Sequence, residues 1–194
     1  MNGELLICRH GETEWSRTGR HTGTTDVPLT DTGRAQARAL APILAQRPVT
    51  HVLVSPRQRA RETAALAGID HAEVTDELVE WDYGQYEGRT TEEIRADRPG
   101  WTIWNGDPPG GESAEAVGAR ADLLLEKITA LLAAGDVLLI GHGHFSRVLA
   151  ARYLQLAPAQ GALLRLDPAT LCVLGTEHDA PTIVRWNLPG RLTE

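Results

Sequence analysis

The sequence predicts an α/β fold: a three-layer α/β/α sandwich around a mainly parallel central sheet, closed by a C-terminal edge hairpin. Two patterns predict it. Short apolar runs bounded by polar, Gly or Pro residues alternate with segments of helical periodicity, and the last part of the chain changes to two strand-like runs around a turn. Runs of the first kind suit strands covered on both faces, and strand–helix alternation favours crossovers between parallel neighbours. A chain of 194 residues is long enough for one sizeable core and short for two, so a single domain over 1–194 is expected.

Leu5-Leu6-Ile7-Cys8 is the first strand-like run. Thr30 to Gln46 follows as a helix with Thr30 as N-cap, apolar Leu40, Ile43 and Leu44, and a weak point at Pro42. Behind the second run, Val52-Leu53-Val54, Ser55-Pro56 reads as an N-cap with proline at the first helical position, opening a helix towards Leu66. A segment from Val74 to Val79 leads to Glu80. The stretch from there to Ser113 holds three of the five tryptophans and the loop Asp107-Pro108-Pro109-Gly110-Gly111. It reads as a short helix, Thr91 to Arg98, within a lid-like insertion at about 81–113. Trp101 and Trp104 stand three apart, which suits a packed helix face as well as a substrate platform. The longest helix spans about Ser113 to Ala134, with Val117, Ala121, Leu124 and Ile128 at helical spacing and Gly135 fit to close it. Val137 to Ile140 is the third run. Leu171 to Gly175 and Thr182 to Trp186, around His178-Asp179-Ala180-Pro181, form the expected edge hairpin.

Composition narrows the partners. A formal net charge of −7 leaves no basic surface for nucleic acid or an anionic membrane, and 42% hydrophobic with 23% charged residues is ordinary for a globular chain. No signal-peptide pattern opens the sequence and no apolar run nears the ~20 residues that span a bilayer, so a cytoplasmic location is expected. Cys8 and Cys172 each lie inside an apolar run and read as buried free thiols.

In open α/β sheets ligands bind beyond the carboxyl ends of the strands, so the residues that follow each run are read together. They are Arg9-His10-Gly11-Glu12-Thr13, Ser55-Pro56-Arg57-Gln58-Arg59 and Gly141-His142-Gly143-His144. Such a set can hold and attack a phosphate. Arg9 and Arg59 offer planar forks that match phosphate oxygens from two sides, and an imidazole is a competent nucleophile near neutral pH where serine needs a separate base. Gly11 and Gly143 let backbone N–H groups approach an anion, and the helix starting near Gly143 aims its positive end the same way. Phosphoryl transfer asks mainly for positioning and charge neutralisation, which these parts supply without a metal or other cofactor. Glu80, at the edge of the tryptophan-rich stretch, is the candidate general acid, with capping or solvent exposure as its bland alternative. Arg9 has a structural alternative as well, an ion pair with Glu12. His21, His51, His71, His144 and His178 are expected on the surface or in local hydrogen bonds, and the His142-Gly143-His144 spacing lacks acidic partners for a metal.

Arg9-His10-Gly11-Glu12-Thr13 with Trp15, Arg20, Gly23, Asp26, Pro28-Leu29-Thr30, Gly33 and Gln36 resembles the N-terminal signature of the histidine phosphatase (phosphoglycerate mutase-like) superfamily. The resemblance continues through Ser55 to Ala60 and Thr63, Glu80 with Tyr83-Gly84 and Glu87-Gly88, Gly110 to Ser113, and Gly141-His142-Gly143. It implies that His10 is the phosphorylated nucleophile, that Arg9, Arg59 and His142 complete the phosphate pocket, that Glu80 is the proton donor, and that Thr22 and Gly23 touch substrate. Arg57 looks like a variable neighbour. Ser16 stands where many relatives have Asn, which puts one hydrogen bond to the phosphoryl group in doubt.

Mutases that resemble this chain carry longer insertions with extra basic residues, whereas the basic residues from Glu80 to Ser113 are Arg89, Arg95 and Arg98. That favours a phosphatase acting on a small phosphorylated metabolite, nearest to actinobacterial acid phosphatase-type members. A 2,3-bisphosphoglycerate-dependent phosphoglycerate mutase and a non-catalytic phospho-ligand binding domain are the alternatives. A monomer or a homodimer is expected.

Overall fold

The computed structural model describes residues 3–190. Its strands are β1 (Leu5–Arg9), β2 (Val49–Val54), β3 (Glu73–Val74), β4 (Asp136–Gly141), β5 (Thr170–Glu177) and β6 (Ala180–Pro189). They form one sheet in the order β3-β2-β4-β1-β5-β6, in which the first four run parallel and β5 and β6 are antiparallel additions. The helices are α1 (Glu14–Arg17), α2 (Asp31–Leu44), α3 (Gln58–Leu66), α4 (Thr91–Asp97), α5 (Ala114–Leu131) and α6 (Gly143–Tyr153).

Strand alternation sorts the core into two layers. Leu5, Ile7, Leu53, Val137 and Leu139 pack with Val117, Leu124 and Ile128 of α5 and Phe145 and Leu149 of α6. Leu6, Cys8, Val52, Val54, Leu138 and Ile140 pack with Leu40 and Leu44 of α2 and Ala60 and Ala64 of α3. Helices therefore cover both faces, as the apolar-on-both-sides runs predict. Each fully buried aliphatic side chain contributes about 1.5–3 kcal/mol. Cys8 and Cys172 lie in opposite layers as free thiols, and burial pushes both up to about 12.

The register positions the site. Arg9 pairs with Gly141 and Val54 with Ile140, so His10, Ser55 and His142 leave the sheet together at the carboxyl end of β1, β2 and β4.

Several local expectations are corrected. Ser55 does not cap α3; the cap is Arg57, without a side-chain bond, and the Asp26 carboxylate accepts from Gln58 N at 2.9 Å instead. The segment from Val74 to Val79 is a strand only at Glu73–Val74 and then turns once at Asp76–Leu78. Helix α5 ends in a C-cap at Leu132, so Gly135 does not close it; Gly135 precedes β4 at φ 148°, packed against Thr50. Helix α2 runs through Pro42 to Leu44. Trp101 and Trp104 lie outside α4 and do not form a helix face. The hairpin turn is tighter than expected: His178 and Asp179 adopt φ 48° and 64°, the positive pair that matches strand twist in a two-residue loop.

Candidate active site

β1 delivers Arg9 and His10 to a cavity of about 170 Å³. His10 Nδ1 lies 2.7 Å from the carbonyl oxygen of Gly11. A carbonyl only accepts, so Nδ1 carries the proton and Nε2 keeps its lone pair. Burial, followed by the Arg59 and Arg9 guanidiniums, holds His10 well below the usual imidazole range and keeps it neutral.

His142 follows β4, its ring edge-on to that of His10 with centroids 5.2 Å apart. Its Nδ1 accepts from Arg59 Nε at 3.2 Å, because a guanidinium only donates; its Nε2–H therefore donates to Ser55 Oγ at 2.7 Å. Both ring nitrogens are thus committed within the protein. Burial, then Arg59, pushes His142 well below its usual range.

Arg59 is fully buried and does not line the cavity, contrary to the expected two-sided cradle. Besides His142, its fork donates to Thr25 O at 2.9 Å, Thr22 O at 3.1 Å and Gly23 O at 3.3 Å. It ties the loop from Thr22 to Thr25 to the histidine behind the nucleophile. Arg9 does face the cavity. One Nη donates to Leu166 O at 2.6 Å, Nε is buried without a partner among the described residues, and the Glu12 carboxylate accepts from the Thr30 hydroxyl at 2.8 Å rather than from Arg9.

Glu80 lines the cavity and also caps α6. Its Oε1 accepts from Trp81 N at 2.9 Å and Phe145 N at 2.7 Å, and Oε2 from His144 N at 3.0 Å. Of the amides that open α6, this carboxylate takes those of His144 and Phe145, which leaves Gly143, itself at the cavity, as the remaining part of the expected anion-facing helix start. Gly11 has a different role from the expected one as well. Its N–H donates to Thr63 Oγ1 at 3.0 Å, and a Cβ there would overlap the Gly33 carbonyl.

Ser16, Thr22 and Gly143 line the cavity, but the two hydroxyls are committed to backbone: Ser16 Oγ donates to Thr13 O at 3.0 Å and Thr22 Oγ1 to Arg20 O at 3.0 Å. Ser16 completes the capping box of α1, its Oγ accepting from Thr13 N at 2.9 Å. Gly23 stays outside the cavity, its N–H donating to the Glu87 carboxylate at 2.9 Å.

Sequence reasoning missed several residues that wall the cavity, among them Arg20, His21, Tyr83, His144 and Arg147. The expectation of surface positions or local hydrogen bonds for His21 and His144 is corrected: their partners are distant in sequence, with His21 Nδ1–H donating to Arg89 O at 2.8 Å and His144 Nδ1 lying 2.6 Å from Tyr83 OH. For Arg147 a signal was available, since it stands one helical turn after Gly143 on the same face. Nothing local marks His21, which is placed by pairing of its backbone with Gly88 and Arg89. Trp101 is core, beside Tyr86 at 5.1 Å, and Trp104 underlies Arg147 at 4.5 Å; neither lines the cavity.

His10, His21 and His142 are buried and all held below 6.5, chiefly by burial. The unfolded chain takes up protons near pH 6.5 that the folded one refuses, so unfolding free energy is full above that pH and falls below it. The expected slope is about 1.4 kcal/mol per pH unit for each group, checked by urea midpoints from neutral to acid pH.

The sequence pattern of the histidine phosphatase superfamily (branch 1) matches residues 5–189. An acid phosphatase of Mycobacterium tuberculosis is 44% identical over 191 residues, covering 97% of this chain and 94% of that protein. The sedoheptulose 1,7-bisphosphatase of Saccharomyces cerevisiae is 34% identical over 183 residues, covering 78% and 67%. The solved structure of the product of a Mycobacterium tuberculosis open reading frame superposes with a TM-score of 0.95 at 43% identity, covering 98% of this chain and 100% of that one. Among the described residues no helix is long and apolar enough to cross a membrane.

Proposed function

Because the chain belongs to the histidine phosphatase superfamily, we propose that it hydrolyses small phosphate monoesters through a phosphohistidine on His10, with Glu80 as the acid and then the base. The observation that carries this reading is the pinned tautomer of His10: Nδ1–H is held by Gly11 O, so the lone pair of Nε2 is left for attack. Nε2 bonds to phosphorus as the ester P–O bond breaks, and Glu80 protonates the leaving oxygen. Water then attacks the phosphoryl group, Glu80 takes its proton, and the P–N bond breaks to release phosphate and the neutral imidazole. Arg9, with its unpartnered Nε, neutralises the phosphoryl oxygens. Arg59 and His142 act behind it, fixing the Thr22–Thr25 loop and the edge against which His10 rests.

The lid segment supports hydrolysis over mutase chemistry. Arg89 donates to Asp97 at 2.6 Å, Arg95 to Trp101 O at 2.7 Å and Arg98 to Asp107 O at 3.2 Å, and none of the three lines the cavity. A dephosphorylated intermediate would find little there to retain it. We further propose a cytoplasmic enzyme that needs no metal and acts as a monomer or homodimer.

Inorganic phosphate release from a panel of monoesters, with a chelator present, tests the proposal. Release across the panel is expected; isomerisation of phosphoglycerate outpacing release would favour the mutase, and tight binding without turnover the binding domain. Glu80→Gln is expected to lower kcat/KM, which reports transfer to His10, about 10²–10³-fold for alkyl esters and far less for p-nitrophenyl phosphate, whose leaving group needs no proton, while kcat falls for both because the water step loses its base.

A further inference from the structure

Besides His10, the cavity is walled by an acceptor of fixed orientation. His21 is held by its backbone, with His21 N donating to Arg89 O and Gly88 N to His21 O, both at 2.9 Å. Its ring is wedged edge-on against Tyr83 at 4.8 Å and Trp101 at 5.4 Å, and only 6% of the residue is exposed. Nδ1 donates to Arg89 O at 2.8 Å, which a carbonyl can only accept, so the neutral ring presents the lone pair of Nε2. That atom has no partner among the described residues, and His21 lines the cavity.

Arg147, which lines the same cavity, is fixed by donation to Gly161 O and Ala162 O, both at 3.0 Å, which leaves one Nη for a ligand. An ester portion that fits this wall must donate to one atom and accept from another. Neighbouring hydroxyls do both. A carboxylate satisfies Arg147 but sets its lone pairs against that of His21 Nε2, with the cost of an unpaired buried acceptor.

We infer that His21 is a specificity-determining residue that accepts a hydroxyl of the leaving group, and that polyol and sugar monophosphates are the substrate class. The inference rests on the hydrolytic reading proposed above. The test measures phosphate release from glycerol 3-phosphate, ribose 5-phosphate, n-propyl phosphate and 3-phosphoglycerate. The hydroxylated esters are expected to exceed propyl phosphate by about tenfold in kcat/KM, with 3-phosphoglycerate below them. In His21→Phe, which keeps a ring but loses the acceptor, the ratio of hydroxylated ester to propyl phosphate in kcat/KM falls to near unity; His21→Gln restores part of it. An advantage unchanged in His21→Phe, no advantage in the unaltered protein, or faster turnover of 3-phosphoglycerate overturns the inference. Should His21→Phe not fold, the ratios in the unaltered protein decide alone. Failure to hydrolyse any of the four esters would contradict the hydrolytic reading itself.

Discussion

Replacing His10 by alanine is expected to lower monoester turnover by about 10⁴-fold or more while leaving the fold intact. Among the described residues at the cavity, only His21 and His144 keep another ring nitrogen without a partner. The hydroxyls of Ser16 and Thr22 donate to backbone carbonyls, both nitrogens of His142 are bonded, and burial holds the Tyr83 phenol well above its usual range. The rings of His21 and His144 stack on each other with centroids 6.0 Å apart, whereas the ring packed against His10 is that of His142. The cationic groups that hold phosphate survive the substitution, so phosphate binding should persist by calorimetry while turnover vanishes. Residual hydrolysis within about tenfold of the unaltered enzyme would mean that another group attacks phosphorus.

Arg59→Ala is expected to destabilise the protein by about 3–5 kcal/mol and to abolish most activity, though Arg59 does not line the cavity. The guanidinium is fully buried and donates to His142 Nδ1 and to the carbonyls of Thr22, Gly23 and Thr25. Its loss strands these acceptors away from water and frees the loop that carries Thr22 into the cavity. Lysine should not rescue the defect, because a single ammonium cannot reproduce a fork that serves four acceptors in fixed directions. Urea midpoints and kcat/KM report the two parts separately. A stable Arg59→Lys enzyme would show that charge alone matters at this position.

Much of this architecture was legible in the sequence because its cause is local. The runs at Leu5, Val52 and Val137 are apolar on both faces because helices cover both faces, and Thr30 and Ser113 cap helices through their own hydroxyls. Where the cause is tertiary, the sequence was silent or misleading. Ser55 has the form of an N-cap, yet its hydroxyl is taken by His142 from another strand. Arg59 has the form of a phosphate ligand, yet loop carbonyls hold it first. Glu80 reads as either acid or cap, and it stands at the cavity while capping a helix sixty residues away along the chain. His21 gains its place from strand-like pairing with the lid segment, which no spacing in the sequence announces.

The account depends on His10 Nε2 as the atom that receives the phosphoryl group, and rapid quenching during turnover of a labelled ester tests it most directly. Peptide mapping and phosphorus NMR of the quenched protein should find an acid-labile, base-stable phosphoryl group on Nε2 of His10. Label on Nδ1 of that ring, on any other residue, or undiminished in a His10→Ala variant would contradict it.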